Sequence, residues 1–250
     1  MARVVMLAGP GDSTNIVFNA IEPDLVILEE RVSQLRLIRR RIKKLGLGIV
    51  VGQVLFRAII VPLLRNLSKK RIQEIKRKNG LDDSPIPSDK VIFVHSVNDD
   101  STVMALKGAN PDVVVVNGTR IIAEDVLRTV PATFLNTHAG ITPLYRGVHG
   151  GYWALVNKDR ANCGVTIHVV DAGIDTGDIV YQARIEPSRV DNFVTYPYLQ
   201  LAAAMDLLRR AISEAATGTI VRLSPPTGGS RLWTHPTAVE YMRNLFAAIR

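Results

Sequence analysis

The stretches PDVVVVNGTR (111–120) and PATFLNTHAG (131–140) decide the fold. Four consecutive valines, Val113–Val116, are apolar on both faces, which suits a central strand buried between two layers of helices. The run stops at Asn117-Gly118, a turn signal, and the next apolar run, Thr133–Leu135, leads into the polar residues Asn136 and His138. Working outward, β-branched runs at Val4–Leu7, Leu25–Leu28 and Val91–Val94 precede this pair, and Gly164–Val170 and Ile179–Ile185 follow it. Helix-like segments include Val148–Asn157 and Thr195–Thr217, the second ending at Gly218, a residue that stops helices. Strands alternating with helices predict an α/β fold, a Rossmann-like and mostly parallel sheet with helices on both faces.

A chain of 250 residues, 47% hydrophobic and 22% charged, can bury one sizeable core. Residues 1–223 read as that domain, interrupted at about 31–80 by a basic helical insertion, and 224–250 as a tail docked on it. The lone Cys163 excludes an intramolecular disulfide and fits a reducing compartment. MARVVMLAGPG enters a strand at once with no basic-then-apolar leader, so the expectation is a cytoplasmic chain. Charge is unevenly spread. Residues 31–78 hold fifteen Lys or Arg and one acid, Glu74, a local charge of +14 that leaves −6 for the rest of a chain whose total is +8. Whatever partner the basicity implies belongs to that segment.

Asn136 and His138 stand two apart at a strand's carboxyl end, where α/β proteins hold ligands, and an i, i+2 pair points the same way. Asp175 sits between Gly173 and Gly177, where backbone can turn sharply. An amide donor, an imidazole and a carboxylate in one cleft suit acyl transfer: the first two can stabilise an oxyanion, and the third can hold the imidazole charged and relay a proton. Taken alone, such a triple is more often structural than catalytic.

The surrounding stretches, LNTHAGITPLYRGVHGGYWAL (135–155) and GVTIHVVDAGIDTGDIVYQ (164–182), resemble the folate-dependent formyltransferase family, which includes glycinamide ribonucleotide, methionyl-tRNA and sugar N-formyltransferases. The family's Asn-x-His, Leu-Pro-x-Tyr-x-Gly and Gly-x-Asp-x-Gly elements match Asn136-Thr137-His138, Thr142–Gly147 and Gly173–Gly177 in order and separation. The resemblance covers about 110–185 well, 3–28 loosely, and 31–78 not at all. Ala139-Gly140 replaces the family's Pro-Ser, a change expected to loosen the loop. The resemblance implies 10-formyltetrahydrofolate as formyl donor, no metal, and a primary amine as acceptor. Asn136 and protonated His138 would stabilise the oxyanion, and Asp175 would keep His138 charged and help remove the amine proton. The pterin would lie against backbone of Asn117, Gly118, Thr119, Arg120, Ile121 and Ile122 and against the loop carrying Asp171 and Gly173. Tyr145, Arg146 and His149 would be on the acceptor side, and His168 structural or supporting. LAGPGDSTNIVFNAI (7–21) resembles the family's phosphate loop, with Ser13 or Asn15 as ligand, and reads equally as a βα turn with Asp12 or Ser13 capping a helix.

Residues 45–64 are long enough to span a bilayer, but Gln53 and Arg57 near the middle argue against it, a central Arg costing about 2.5–3.5 kcal/mol. Spanning would also separate the first two strands from their sheet. Three partners suit the insertion: an anionic membrane surface touched peripherally, a second copy of the chain in a homodimer, or a phosphorylated substrate under a basic lid. Among acceptors, few residues follow Gly218 to build a tRNA-gripping barrel, and the insertion has one aromatic, Phe56, for stacking on bases, so the reading disfavours nucleic acid. The tail from Trp233 to Tyr241 resembles sugar N-formyltransferases of bacterial polysaccharide pathways. A nucleotide-linked amino sugar is therefore the expected acceptor. Aminoacyl-tRNA, glycinamide ribonucleotide and a non-catalytic folate-binding or membrane-associated role are the alternatives.

Overall fold

Alternation along the first strand sets up two cores. In β1 (Val4–Ala8), Val4, Met6 and Ala8 belong to one apolar cluster and Val5 and Leu7 to another, each on its own face of the sheet. The computed structural model describes residues 2–225 and 229–248 of the chain. After β1 come α1 (Asp12–Ile21), β2 (Leu25–Glu29), and helices α2 (Gln34–Leu45), α3 (Leu47–Leu55), α4 (Val61–Leu67) and α5 (Lys69–Lys78). The core resumes with β3 (Val91–Val94), α6 (Asp100–Ala109), β4 (Val113–Asn117), α7 (Glu124–Leu127), β5 (Thr133–His138) and β6 (Arg146–Gly147). It ends with α8 (Gly150–Val156), β7 (Gly164–Val169), β8 (Ile179–Arg184), α9 (Tyr196–Ala216), β9 (Leu232–Trp233) and α10 (Ala238–Ala248).

The main sheet has the order β3-β2-β1-β4-β5-β7-β8. Its first five strands run parallel, and β7 and β8 add antiparallel pairs at one edge. One core joins α1, α8 and α9 to the sheet through side chains such as Ile16, Trp153 and Leu208; the other carries Leu106 of α6 and Val126 of α7. Helices thus cover both faces. Chain order reverses at β1, with β2 on one side and β4 on the other, which opens a crevice at the carboxyl ends of these strands. Gly9 lets the loops after β1 and β4 close on each other there: a Cβ at position 9 would lie 2.3 Å from the Gly118 carbonyl oxygen.

Predicted strands agree with observed ones to within a residue or so, with one exception. β5 runs on through Asn136, Thr137 and His138, because β7 pairs with them across the sheet, His168 opposite Asn136 and Thr166 opposite His138. Local composition does not announce a partner thirty residues downstream.

Residues 47–67 form one 21-residue helix in which α3 passes into α4 through a π-helical turn, Phe56–Ile60. By length and composition this helix could cross a membrane. It is anchored on the core instead. Phe56 is fully buried, edge-on to Phe193 at 4.8 Å and 5.0 Å from Tyr241. Gln53 donates from Nε2 to the His235 carbonyl at 2.8 Å. From α5, Arg71 grips the buried Asp191 with both Nε (2.8 Å) and Nη2 (2.9 Å). On the tail, β9 pairs with β6, Trp153 donates to the Thr234 carbonyl, and α10 packs on α3 and α8. Residues 226–228 and 249–250 of the expected tail lie outside the described residues.

Phe56→Ala should cost about 3–5 kcal/mol of stability, because it removes an aromatic ring that ties the inserted helix to α10 and to the segment before α9. Urea unfolding followed by circular dichroism measures this, and a loss under about 1 kcal/mol would mean the helix is not docked as described.

Candidate active site

The strand end supplies two side chains and a glycine-flanked loop supplies a third. Asn136 and His138 leave the carboxyl end of β5, and Asp175 reaches them from the loop between β7 and β8. Asp175 has φ 51°, a left-handed conformation uncommon outside glycine, asparagine and aspartate. Its Oδ2 accepts the Gly147 amide at 2.8 Å and lies 3.3 Å from His138 Nδ1, while Oδ1 is 3.6 Å from His168 Nε2. One carboxylate therefore faces two imidazoles and a backbone amide.

His138 is buried, and its other nitrogen, Nε2, lies 2.7 Å from the Tyr145 carbonyl oxygen. Both ring nitrogens thus face acceptors, an arrangement that only the doubly protonated ring satisfies completely. Burial pushes the His138 imidazole below its ordinary value, against the upward pull of Asp175 and the Tyr145 carbonyl. Burial prevails, so the ring gives up its proton more readily than a free imidazole. For Asp175, burial pushes the carboxyl up, but the His168 hydrogen bond, the His138 charge and the Gly147 amide outweigh it, and the group sits below its ordinary value. Asp175 is ionised at neutral pH.

His168 orients Asn136. Its Nδ1 lies 2.9 Å from the Val169 carbonyl and so carries a proton, and its Nε2 lies between the Asn136 amide nitrogen at 3.0 Å and Asp175 Oδ1 at 3.6 Å. The second amide hydrogen of Asn136 is thereby left to point elsewhere. Gly140 does not loosen its loop. A Cβ at that position would fall 2.3 Å from the Tyr145 carbonyl oxygen and 2.7 Å from His138 Nε2, so glycine is what allows that carbonyl to reach the ring.

A cleft of about 860 Å³ opens at the carboxyl ends of β2, β1 and β4, one strand over from β5, and none of Asn136, His138 and Asp175 lines it. Gly9–Ser13, Gly118–Arg120 and the start of α9 line it, and so do Arg57 and Arg65 from the inserted helix and Arg31. A smaller hollow of about 340 Å³ joins Arg57 and Arg65 to His149, Phe193 and His235. His149 Nε2 and His235 Nδ1 share a 2.8 Å hydrogen bond, and burial lowers the two rings to about 4 and about 3.

Several expected ligands are held elsewhere. Asn15 donates to the Asp83 carbonyl, away from the cleft, whereas Ser13 lines it. Helix α1 has no side-chain cap; Asp12 instead accepts the Tyr198 hydroxyl at 3.0 Å. The Asn117 amide is committed to Ser13 and Thr14, and Tyr145 buries its ring on Trp233 with its hydroxyl on Asp159, acting on the site through its carbonyl. Gly118, Thr119 and Arg120 line the cleft, the Arg120 guanidinium being pinned to the His95 and Glu30 carbonyls. Ile121 is exposed and Ile122 buried. Asp171 accepts the Gly173 amide and the Thr176 hydroxyl, bracing the loop that presents Asp175. Arg146 bonds the Ile174 carbonyl at 3.1 Å in the same loop and keeps a buried Nε without a partner among the described residues. Sequence reasoning missed Arg57 and Arg65 as cleft residues and His235 as the partner of His149. Nothing local marks them, since each arrives from an element far away in the chain.

Comparison with known proteins follows the same division. Residues 67–196 match the family model described as Formyl transferase. Methionyl-tRNA formyltransferases of Thermodesulfovibrio yellowstonii and Anaeromyxobacter dehalogenans are each 32% identical, over 165 and 159 residues covering 66% and 58% of this chain. The chain spans about half the length of these curated relatives, 50% and 51%. Among solved structures, a sugar N-formyltransferase from a Shewanella species aligns over 92% of this chain and 76% of its own, with TM-score 0.58 and 13% identity. Phosphoribosylglycinamide formyltransferase from Anaplasma phagocytophilum aligns over 92% and 96%, with TM-score 0.58 and 16% identity. Both share the fold.

The neutral histidine pair generates a stability prediction. Folded pKa values of about 4 and about 3 lie below the ordinary 6.5, so the unfolded chain binds more protons between these limits and stability falls as pH drops from about 6.5 toward 4. His149→Phe should flatten that part of the Tm-against-pH curve, and an unchanged slope would contradict the assignment.

Proposed function

The chain belongs to the formyl transferase family, and from that premise we propose that it moves a formyl group from 10-formyltetrahydrofolate to the primary amine of a small, phosphate-bearing acceptor in the cytoplasm. A nucleotide-linked amino sugar is the acceptor that fits best. The observation that carries this reading is the position of the cleft. Arg31, Arg57 and Arg65 line a space of about 860 Å³ at the ends of β1, β2 and β4, and β4 is the neighbour of the strand that bears Asn136 and His138. Guanidinium groups bind phosphate oxygens strongly, and such a volume suits a drug-sized molecule. Support for a sugar comes also from the tail's resemblance to sugar N-formyltransferases.

The donor, when bound, supplies the formyl carbon and a leaving nitrogen. The residues present fit that role: an amide, an imidazole and a carboxylate are joined in one network, with the unpartnered Arg146 Nε nearby. Asn136, oriented by His168, turns its free amide hydrogen toward the formyl oxygen. For the His138 ring to donate to the same oxygen, its Nε2–H exchanges the Tyr145 carbonyl for the substrate, and Asp175 at Nδ1 favours the charged ring as negative charge builds there. Asp175 accepts the proton that the attacking amine must lose, through His138 or water, and the leaving nitrogen takes that proton back. The Gly147 amide and the Asp171 bracing keep the carboxylate in place throughout. A tRNA acceptor is the second reading, favoured by the methionyl-tRNA formyltransferases among the sequence relatives.

Release of tetrahydrofolate from 10-formyltetrahydrofolate, measured spectroscopically against aminosugar nucleotides, glycinamide ribonucleotide and methionyl-tRNA, tests the reading. His138→Ala and Asp175→Asn should each lower turnover by roughly a hundredfold or more. Arg65→Ala should raise KM for a phosphorylated amine about tenfold with little change in kcat. Turnover with methionyl-tRNA alone would replace the sugar by tRNA, and folate binding without turnover on any amine would overturn the reaction.

A further inference from the structure

The inserted helix has two unlike surfaces. Its inner side is anchored through Val50, Gln53 and Phe56 and lends Arg57 and Arg65 to the cleft. Its outer side carries Leu47, Val51, Leu55, Ile59, Leu63 and Leu67, each four residues after the last and each 46–72% exposed. A four-residue repeat drifts around a helix of 3.6 residues per turn, and the π-helical turn at Phe56–Ile60, with its wider winding, counteracts that drift. The outcome is a continuous apolar ridge roughly 30 Å long. Single exposed leucines need no explanation, whereas a ridge of this length facing water does.

Charge around the ridge selects its occupant. At one end α2 exposes Arg39, Arg40, Lys43 and Lys44, and at the other α5 begins with exposed Lys69 and Lys70. Across 31–78 the only acid is Glu74, which is taken up by Arg71 and Lys78. Two copies of so basic a face would repel each other, while the headgroups of anionic lipid complement it. The helix does not cross the bilayer, because its inner side is part of the folded core.

We propose that the Leu47–Leu67 helix lies in the surface of an anionic bilayer, its apolar ridge among the acyl chains and its flanking lysines and arginines on the headgroups. The cleft is then held at the membrane surface, within reach of amines that reside there. This proposal stands apart from the formyl-transfer reading and does not depend on it.

Co-sedimentation of the full chain with vesicles of phosphatidylcholine mixed with phosphatidylglycerol, and of phosphatidylcholine alone, tests the proposal. A variant combining Leu55→Ser, Ile59→Ser and Leu63→Ser changes only exposed positions, and its circular dichroism and Tm report whether it remains folded. Expected are binding to the anionic vesicles that weakens with salt and with neutral lipid, and a partition coefficient more than about tenfold lower for the variant. No vesicle binding by the native chain, or equal binding by the folded variant, overturns the proposal. So does a concentration-dependent dimer in analytical ultracentrifugation that the same substitutions dissolve, with vesicle binding absent; the ridge would then be a subunit interface.

Discussion

The carboxylate of Asp175, accepting the Gly147 amide at 2.8 Å and facing His138 at 3.3 Å and His168 at 3.6 Å, ties together four separate parts of the chain. β5 gives His138, β7 gives His168, β6 gives Gly147, and the loop before β8 gives the aspartate itself. A buried charge is tolerated only when it is paired and hydrogen-bonded, so each of these elements must be in place for the others to hold. The left-handed backbone at Asp175 and the close approach at Gly140 are features that this network requires. Through His168 the same carboxylate bears indirectly on Asn136, so Asn136, His138, His168 and Asp175 belong to one connected unit.

Around that unit the sheet does the positioning. Because β1 lies between β2 and β4 and β4 lies against β5, the crevice at the switch point opens one strand away from the one that carries Asn136 and His138. The insertion then completes one wall. Its helix is held by Phe56, Phe193 and Tyr241 on one side and by the Arg71–Asp191 pair on the other, and it delivers Arg57 and Arg65 to the cleft. The tail takes part too, since His235 meets His149 at the cleft's far hollow and β9 pairs with the strand that carries Gly147. Segments without counterpart in the resemblance thus line much of the cleft, while the segments that carry the resemblance supply the network around Asp175.

Much of this was legible before the fold was known. Val113–Val116 announced a central strand, and the i, i+2 spacing of Asn136 and His138 with the glycine-flanked Asp175 announced side chains that come together, as they do around His168; all depend on local pattern. What was hidden depends on pairing across the chain. The reach of β5 to His138 needs β7 opposite it. The role of Gly140 needs the Tyr145 carbonyl brought to within a Cβ's width. Basic residues of the insertion read as one undifferentiated cluster, yet packing divides them, with Arg57 and Arg65 turned to the cleft and Arg71 closed on a buried aspartate. Asn15 and Tyr145, attractive from their place in motifs, proved committed to the Asp83 carbonyl and to Asp159. A motif fixes which residues stand together in sequence, and the distant neighbours decide which of them face the ligand.

Histidine titration by nuclear magnetic resonance, comparing the native chain with Asp175→Asn, tests most directly the claim that one carboxylate governs the site. Removing the charge should lower the His138 titration midpoint, because Asp175 is the largest influence raising it against burial. A midpoint that stays in place or rises in the variant would contradict the account.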